Sequence, residues 1–168
     1  AGVNSINWAR IMAQVVYYFT SAVALGAPDR KVSFCVPTGN FGDIFAGHTA
    51  KRMGVPIDRL VIATNVNDIL DRTLKTGRYE MKGVTPSSSP SMDIQVSSNF
   101  ERLLFELGGR SPERVRTLMG GLAQSGAFTL DAAERDGLAR LFDAHKVGED
   151  ESRAAIQAVQ AATGYLAE

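Results

Sequence analysis

The residues best suited to chemistry sit together in one short run, Pro37-Thr38-Gly39-Asn40-Phe41-Gly42-Asp43. An apolar run, Lys31 to Val36, ends just before it. A helical pattern starts at about Phe41 and continues to Met53. A helix that begins this way leaves the backbone amides of Gly39, Asn40, Phe41 and Gly42 without partners. They would converge on one spot past the carboxyl end of the strand. A dianionic phosphate satisfies such amides, and the helix dipole adds to the attraction. Each charge-assisted bond contributes about 1.5–3 kcal/mol. Glycine suits the turn because a side chain would block approach or forbid a positive φ. The run carries no GK[ST] and no GxGxxG spacing, so it is neither of the common nucleotide loops. A plain strand-to-helix turn with glycines for geometry alone fits the same spacing.

Other candidates are weaker. His48 falls on the Phe41, Ile44, Phe45 face of the second helix and reads as a packed or solvent-edge side chain. His145 reads as solvated in a polar linker. Two histidines and one cysteine give no metal set. Cys35, in a buried strand, reads as an inert core residue. Ser33 and Ser125 lack a nucleophile elbow. Asn65, Asn67 and Asp68 follow a second strand and could line the ligand crevice; helix capping by Asn65 or Asn67 explains them equally. Lys75, Arg78 and Lys82 could meet a substrate phosphate or form a solvated face. Arg10 and Tyr17 are similarly open.

The elements that must position this run follow from periodicity. Trp8, Met12, Val15, Val16, Phe19 and Val23 recur at helical spacing, with Asn4 and Ser5 as caps and Gly26 as the stop. Lys31–Val36 lacks clean alternation and suits a parallel strand buried on both faces. Ala46, Ala50 and Gly54 form a row of small residues that lets the second helix approach a sheet. Leu60–Thr64 is the next strand, and a helix follows to Thr76. Strand, helix, strand is a βαβ unit and implies a parallel sheet. The stretch 77–97 loses all pattern and reads as a long functional or mobile loop. Residues 98–168 read as a helical appendage: a capping box at Ser98–Glu101, a helix from Ser111-Pro112, another from Asp131 with Glu134, and a last one over Glu149–Thr163. The expected organisation is an α/β phosphate-binding lobe over 1–76, the loop, then the appendage, as one unit of something larger.

Composition narrows the class. The chain has 168 residues, enough for a real core. Lys plus Arg and Asp plus Glu are 18 each, so no clustered basic face for nucleic acid and no attraction to an anionic membrane is implied. The apolar cluster near Met12–Phe19 is too short to span a bilayer. One cysteine fits a reducing compartment, and a cytoplasmic location is expected. A start at Ala1 inside a helical pattern, and an end at Glu168 without a polar tail, suggest a fragment.

The wording of the run carries more than its spacing. Pro37–Asp43 resembles the phosphate loop of the threonine synthase family. Asn4–Arg10 with Gln14–Phe19, Ala63–Asp68, Ser89–Ile94 and Ser98–Arg102 look like the neighbouring segments of that family, in its order. The form resembled is the bacterial and fungal one. This resemblance implies a tryptophan-synthase-type, fold type II pyridoxal-phosphate fold. It implies conversion of O-phospho-L-homoserine and water to L-threonine and phosphate, with pyridoxal 5'-phosphate as electron sink. The implied cofactor contacts are Thr38, Gly39, Asn40, Phe41, Gly42 and Asp43. Asp43 is awkward beside a phosphate unless a cation meets it; it also suits the first turn of its own helix. The Schiff-base lysine of the family lies in a lobe not represented here, so no catalytic residue and no activity are expected of this chain alone. Threonine deaminase and cysteine synthase share the fold but favour more glycine in the loop. A non-catalytic phosphate-binding module is the remaining alternative.

Treating the chain with pyridoxal phosphate and then borohydride is expected to leave no stoichiometric lysine adduct by mass spectrometry. A single specific adduct would place a cofactor-carrying lysine within these residues.

Overall fold

A computed structural model describes residues 6–166. The proposed caps Asn4 and Ser5 lie outside them. Three parallel strands, β1 (Val32–Pro37), β2 (Ile57–Thr64) and β5 (Phe142–Lys146), form a sheet in the order β1-β2-β5. Because all three run the same way, their carboxyl ends share one edge. Helices α1 (Trp8–Ala24) and α2 (Gly42–Arg52) pack against each other beside this sheet. Next come α3 (Ile69–Thr76) and β3 (Arg78–Glu80). The chain continues through α4 (Phe100–Leu107), α5 (Pro112–Ser125), β4 (Ala127–Thr129), α6 (Ala132–Ala139) and, after β5, α7 (Glu149–Thr163).

The βαβ unit forms as its pattern dictates, with Val36 paired to Ile62 and Pro37 to Ala63. Ala46 and Ala50 are buried, and α2 lies so close to α1 that a Cβ on Gly47 would sit 2.6 Å from the Tyr18 ring. Ser111 caps α5 with Pro112 in the first turn, and Asp131 with Glu134 closes the capping box of α6.

Several expectations are corrected. The buried stripe of α1 is Ile11, Val15, Tyr18 and Ala22; Trp8, Met12, Val16 and Val23 are exposed. The helix is apolar over a wide arc, and only the edge of it nearest α2 meets a partner. Asn7 caps it. Strand β1 is not buried on both faces: Ser33 and Cys35 are exposed, because β1 is a sheet edge with one face open. The cap of α3 is Asp68, and that of α4 is Asn99; neither the expected Asn65/Asn67 cap nor the Ser98 capping box forms. Those side chains are drawn elsewhere, as described below. Residues 98–168 are not purely helical. They supply β5 to the main sheet and β4, which pairs antiparallel with β3. His145 therefore stands on a strand, though exposed. Short strands with mixed side chains, Ala127-Phe128-Thr129 and Phe142–Lys146, carry too few residues for a period-two signal.

Glu134 joins α5 to α6. Its side chain is 2% exposed and accepts two bonds from Arg114, at 2.8 and 2.7 Å, and one from the Asp131 amide. Glu134→Ala removes all three. Arg114 keeps access to water, which moderates the loss to about 2 kcal/mol. Denaturant unfolding of the variant is expected to show a lowered midpoint of that size.

Candidate functional site

The turn between β1 and α2 is anchored by its carbonyls. Ser97 Oγ donates to the Gly39 carbonyl at 2.7 Å. The amide of Asn99 and its side-chain Nδ2 both donate to the Asn40 carbonyl at 3.0 Å. The Phe41 carbonyl accepts from Phe45 as the first bond of α2. By contrast, among the described residues the N–H groups of Gly39, Asn40, Phe41, Gly42 and Asp43 donate to no protein acceptor. They border a cavity of about 170 Å³ at the carboxyl edge of the sheet, lined also by Arg10, Gln14, Thr38, Ile44 and Ser91. A run of free amides at a helix start, with its carbonyls tied back, offers donors that an anion could satisfy.

The geometry of the turn differs from the expected one in an instructive way. The left-handed residue is Phe41, at φ 63° and ψ 9°, not Gly39. A side chain in that region costs roughly 1–2 kcal/mol. The Phe41 ring is 1% exposed and packs edge-on to Phe100 at 5.2 Å and beside Phe142 at 5.8 Å. Burying a phenylalanine contributes about 1.5–3 kcal/mol, enough to hold the strain. Gly39 is needed for close approach. A Cβ there would stand 2.9 Å from the Ser91 carbonyl oxygen and 3.3 Å from Met92 Cα.

Two further elements hold the site. Tyr79, on β3, stacks between Phe100 and Phe128 and accepts a 2.8 Å bond from the Ser97 amide, which sets Ser97 against Gly39. Burial pushes the Tyr79 hydroxyl up to about 12, so it stays protonated. The segment carrying Ser91 is pinned by Asp93. Its carboxylate accepts from the Ser87 hydroxyl and amide and from the side chains of Asn65 and Asn67. These bonds, the Ser87 hydroxyl first, hold the carboxyl below the usual range. The long loop is thus ordered around one carboxylate, with a 3₁₀ turn at Pro90–Met92.

Of the residues singled out in the sequence, Thr38, Gly39, Asn40, Phe41, Gly42 and Asp43 are brought together. The Thr38 hydroxyl, expected as a donor, gives its proton to the Val36 carbonyl at 2.6 Å. Asn65 and Asn67 fasten the loop and do not line the cavity. Lys75 pairs with Asp71 and Arg78 with Glu80. His48 lies away from the cavity, between the rings of Phe45 and Phe142, and burial lowers its pKa and favours the neutral ring. Ser97, Asn99, Tyr79 and Asp93 were missed as site residues. Nothing in the sequence signals them; the burial of the Asn99 side chain is visible only in the fold.

These features define a class: an open parallel α/β lobe with a run of open amides where its edge strand meets a helix. A solved structure titled as pyridoxal-phosphate-bound threonine synthase from Brucella melitensis is 62% identical, with a TM-score of 0.98 over 100% of this chain and 36% of that one. The yeast threonine synthase structure gives a TM-score of 0.88 at 46% identity, covering 94% of this chain and 33% of that one. Threonine synthase of Pseudomonas aeruginosa is 51% identical over 98% of this chain and 35% of its own length. No family-wide sequence profile matches the chain. The fold is that of part of the fold type II, tryptophan-synthase-type pyridoxal-phosphate enzymes. The chain belongs to the threonine synthase family, and it spans about a third of the length of the curated relatives it matches.

Gly39→Ala forces the turn away from the Ser91 backbone and is expected to destabilise the chain by about 1–3 kcal/mol. Thermal unfolding checks the cost. Calorimetric titration with inorganic phosphate is expected to show the anion affinity lost with it.

Proposed function

We propose that this chain supplies the cofactor-phosphate site of a threonine synthase, the enzyme forming L-threonine and phosphate from O-phospho-L-homoserine and water. The observation that carries the reading is the run of five uncommitted amides, Gly39 to Asp43, around one small cavity. A pyridoxal 5'-phosphate group fits this donor set, since its phosphate needs acceptor-satisfying N–H groups and a close backbone, which Gly39 permits. When bound, the cofactor supplies an electron sink for the amino-acid substrate. The chain's own residues bind and orient. The amides grip the phosphate, Ser97 and Asn99 keep the carbonyls turned away, and Phe41 fixes the left-handed bend. Thr38 acts through the Val36 carbonyl, within the turn.

The same reading assigns no catalysis to this segment alone. None of its lysines borders the cavity. Lys75 and Lys146 are paired with Asp71 and Asp68, and Lys51 donates to the Ile57 carbonyl. The base and the cofactor-carrying lysine belong to other parts of such an enzyme. The partner is a small phosphorylated amino acid and the location cytoplasmic. Among the described residues no helix is long and apolar enough to cross a membrane.

Competition calorimetry tests the reading. Pyridoxal phosphate and inorganic phosphate are expected to compete for one site on this chain, while pyridoxal without the phosphate does not compete. Equal binding of pyridoxal and its phosphate would overturn the assignment.

A further inference from the structure

Asp43 borders two cavities at once. One is the cavity of the Gly39–Asp43 amides. The other, of about 190 Å³, is walled by Tyr17, Tyr18, Phe34 and Cys35 among others. A carboxyl in the first turn of α2 can therefore lean to either side of the turn. Leaning toward the amides, it occupies the field that an anion would use and repels a dianion at close range. Which way it leans decides how open the amides are.

Tyr18 supplies a direction. It lies on α1, is 4% exposed, and borders the second cavity and not the first. Its ring meets Phe34 of β1 edge-on at 4.9 Å. It also lies against Gly47 of α2, where a Cβ would stand 2.6 Å from it. Three elements thus fix the ring, and with it the hydroxyl. The hydroxyl donates to the Asp43 carbonyl at 3.0 Å and also reaches the Asp43 carboxyl. Burial raises the Asp43 pKa, while the Tyr18 bond and the Arg10 charge pull it down. Burial, with the Asp43 carboxyl, raises the Tyr18 pKa, so the hydroxyl keeps its proton and stays a donor.

We propose that Tyr18 is a positioning residue for this site: its hydroxyl draws the Asp43 side chain toward the second cavity, out of the path of a phosphate. This rests on the turn being the phosphate site proposed above. Tyr18 touches no ligand and acts through Asp43. The conflict it resolves is local. An acidic residue steadies the helix start, yet it stands beside the amides an anion needs. Without the hydroxyl the carboxylate is free to turn toward those amides. Like charges brought close in a wet cavity weaken binding by about tenfold.

Calorimetry of the 168-residue chain with inorganic phosphate at mildly alkaline pH tests this, with circular dichroism confirming that each variant folds. Tyr18→Phe keeps the ring and loses the hydroxyl; it is expected to weaken phosphate about tenfold. Adding Asp43→Asn is expected to recover most of the loss, because the neutral side chain brings no charge to the amides. The deficit of Tyr18→Phe relative to the parent is also expected to shrink as salt is added, since salt screens repulsion. If Tyr18→Phe does not fold, Asp43→Glu answers the same question. Its longer carboxylate overreaches the fixed hydroxyl and is expected to weaken phosphate to a similar degree. Parent-like binding by Tyr18→Phe, or by Asp43→Glu in its place, with Gly39→Ala inactive, would overturn the inference and leave the turn standing. A loss that Asp43→Asn does not repair and salt does not shrink would make Tyr18 a packing residue only, and would overturn it too. No binding by the parent chain would remove the turn reading and this one together.

Discussion

The carbonyls of Gly39 and Asn40 are claimed by Ser97 and Asn99, and that claim decides which way the turn faces. A peptide unit has its oxygen and its hydrogen on opposite sides, so tying the oxygens to one neighbour turns the N–H groups toward the other. Three bonds from a segment nearly sixty residues downstream thus turn the Asn40 and Phe41 amides to the far side, beside those of Gly42 and Asp43 that open α2. Unpaired amides away from water are costly, which is why they are seldom left that way. Here they line an open cavity, where water or an anion can meet them. The cost is small without a ligand, and the gain with one is large.

The supports of this turn come from regions that look unrelated in sequence. The β3–β4 pair holds Tyr79 between two aromatic rings, Tyr79 holds Ser97, and Ser97 holds Gly39. Asp93 gathers Ser87, Asn65 and Asn67, and in doing so brings the Ser91 backbone against Gly39. Arg102 ties Asn99 to the start of α1 through the Ile6 carbonyl and lies over the Trp8 ring at 5.3 Å. The loop, the small sheet and α4 are therefore not an appendage to the site. They are the frame that keeps its geometry within the narrow range a bound group needs.

The strand–turn–helix at Val32–Arg52 was legible because three local signals agree there: an apolar run, a glycine-bearing turn and a row of small residues. The capping box of α6 and the proline start of α5 were legible for the same reason. The faces of α1 were not. Its apolar arc is wider than one contact needs, and periodicity cannot say which edge meets a neighbour. The left-handed Phe41 was also hidden. Local preference assigns positive φ to glycine, and only the packing of its ring among Phe100 and Phe142, distant in sequence, reverses that. Asn65 and Asn67 misled as caps because a short amide side chain satisfies a helix end or a distant group equally well.

Asp43 shows how such a site balances its empty and filled states. An acidic residue in the first turn favours the helix by roughly 0.3–1 kcal/mol through the dipole, and it occupies the same field an anion would use. The empty turn is therefore already partly neutralised, which steadies α2 where its amides are unpaired. A doubly charged ligand reaches more amides at closer range than a carboxylate on the helix itself, so it gains more from the same field. What it must overcome is repulsion from Asp43, whose burial already disfavours the charged form. A helix that carries its own weak anion beside open amides is steadied without any ligand, and the cavity beside it leaves those amides within reach of one.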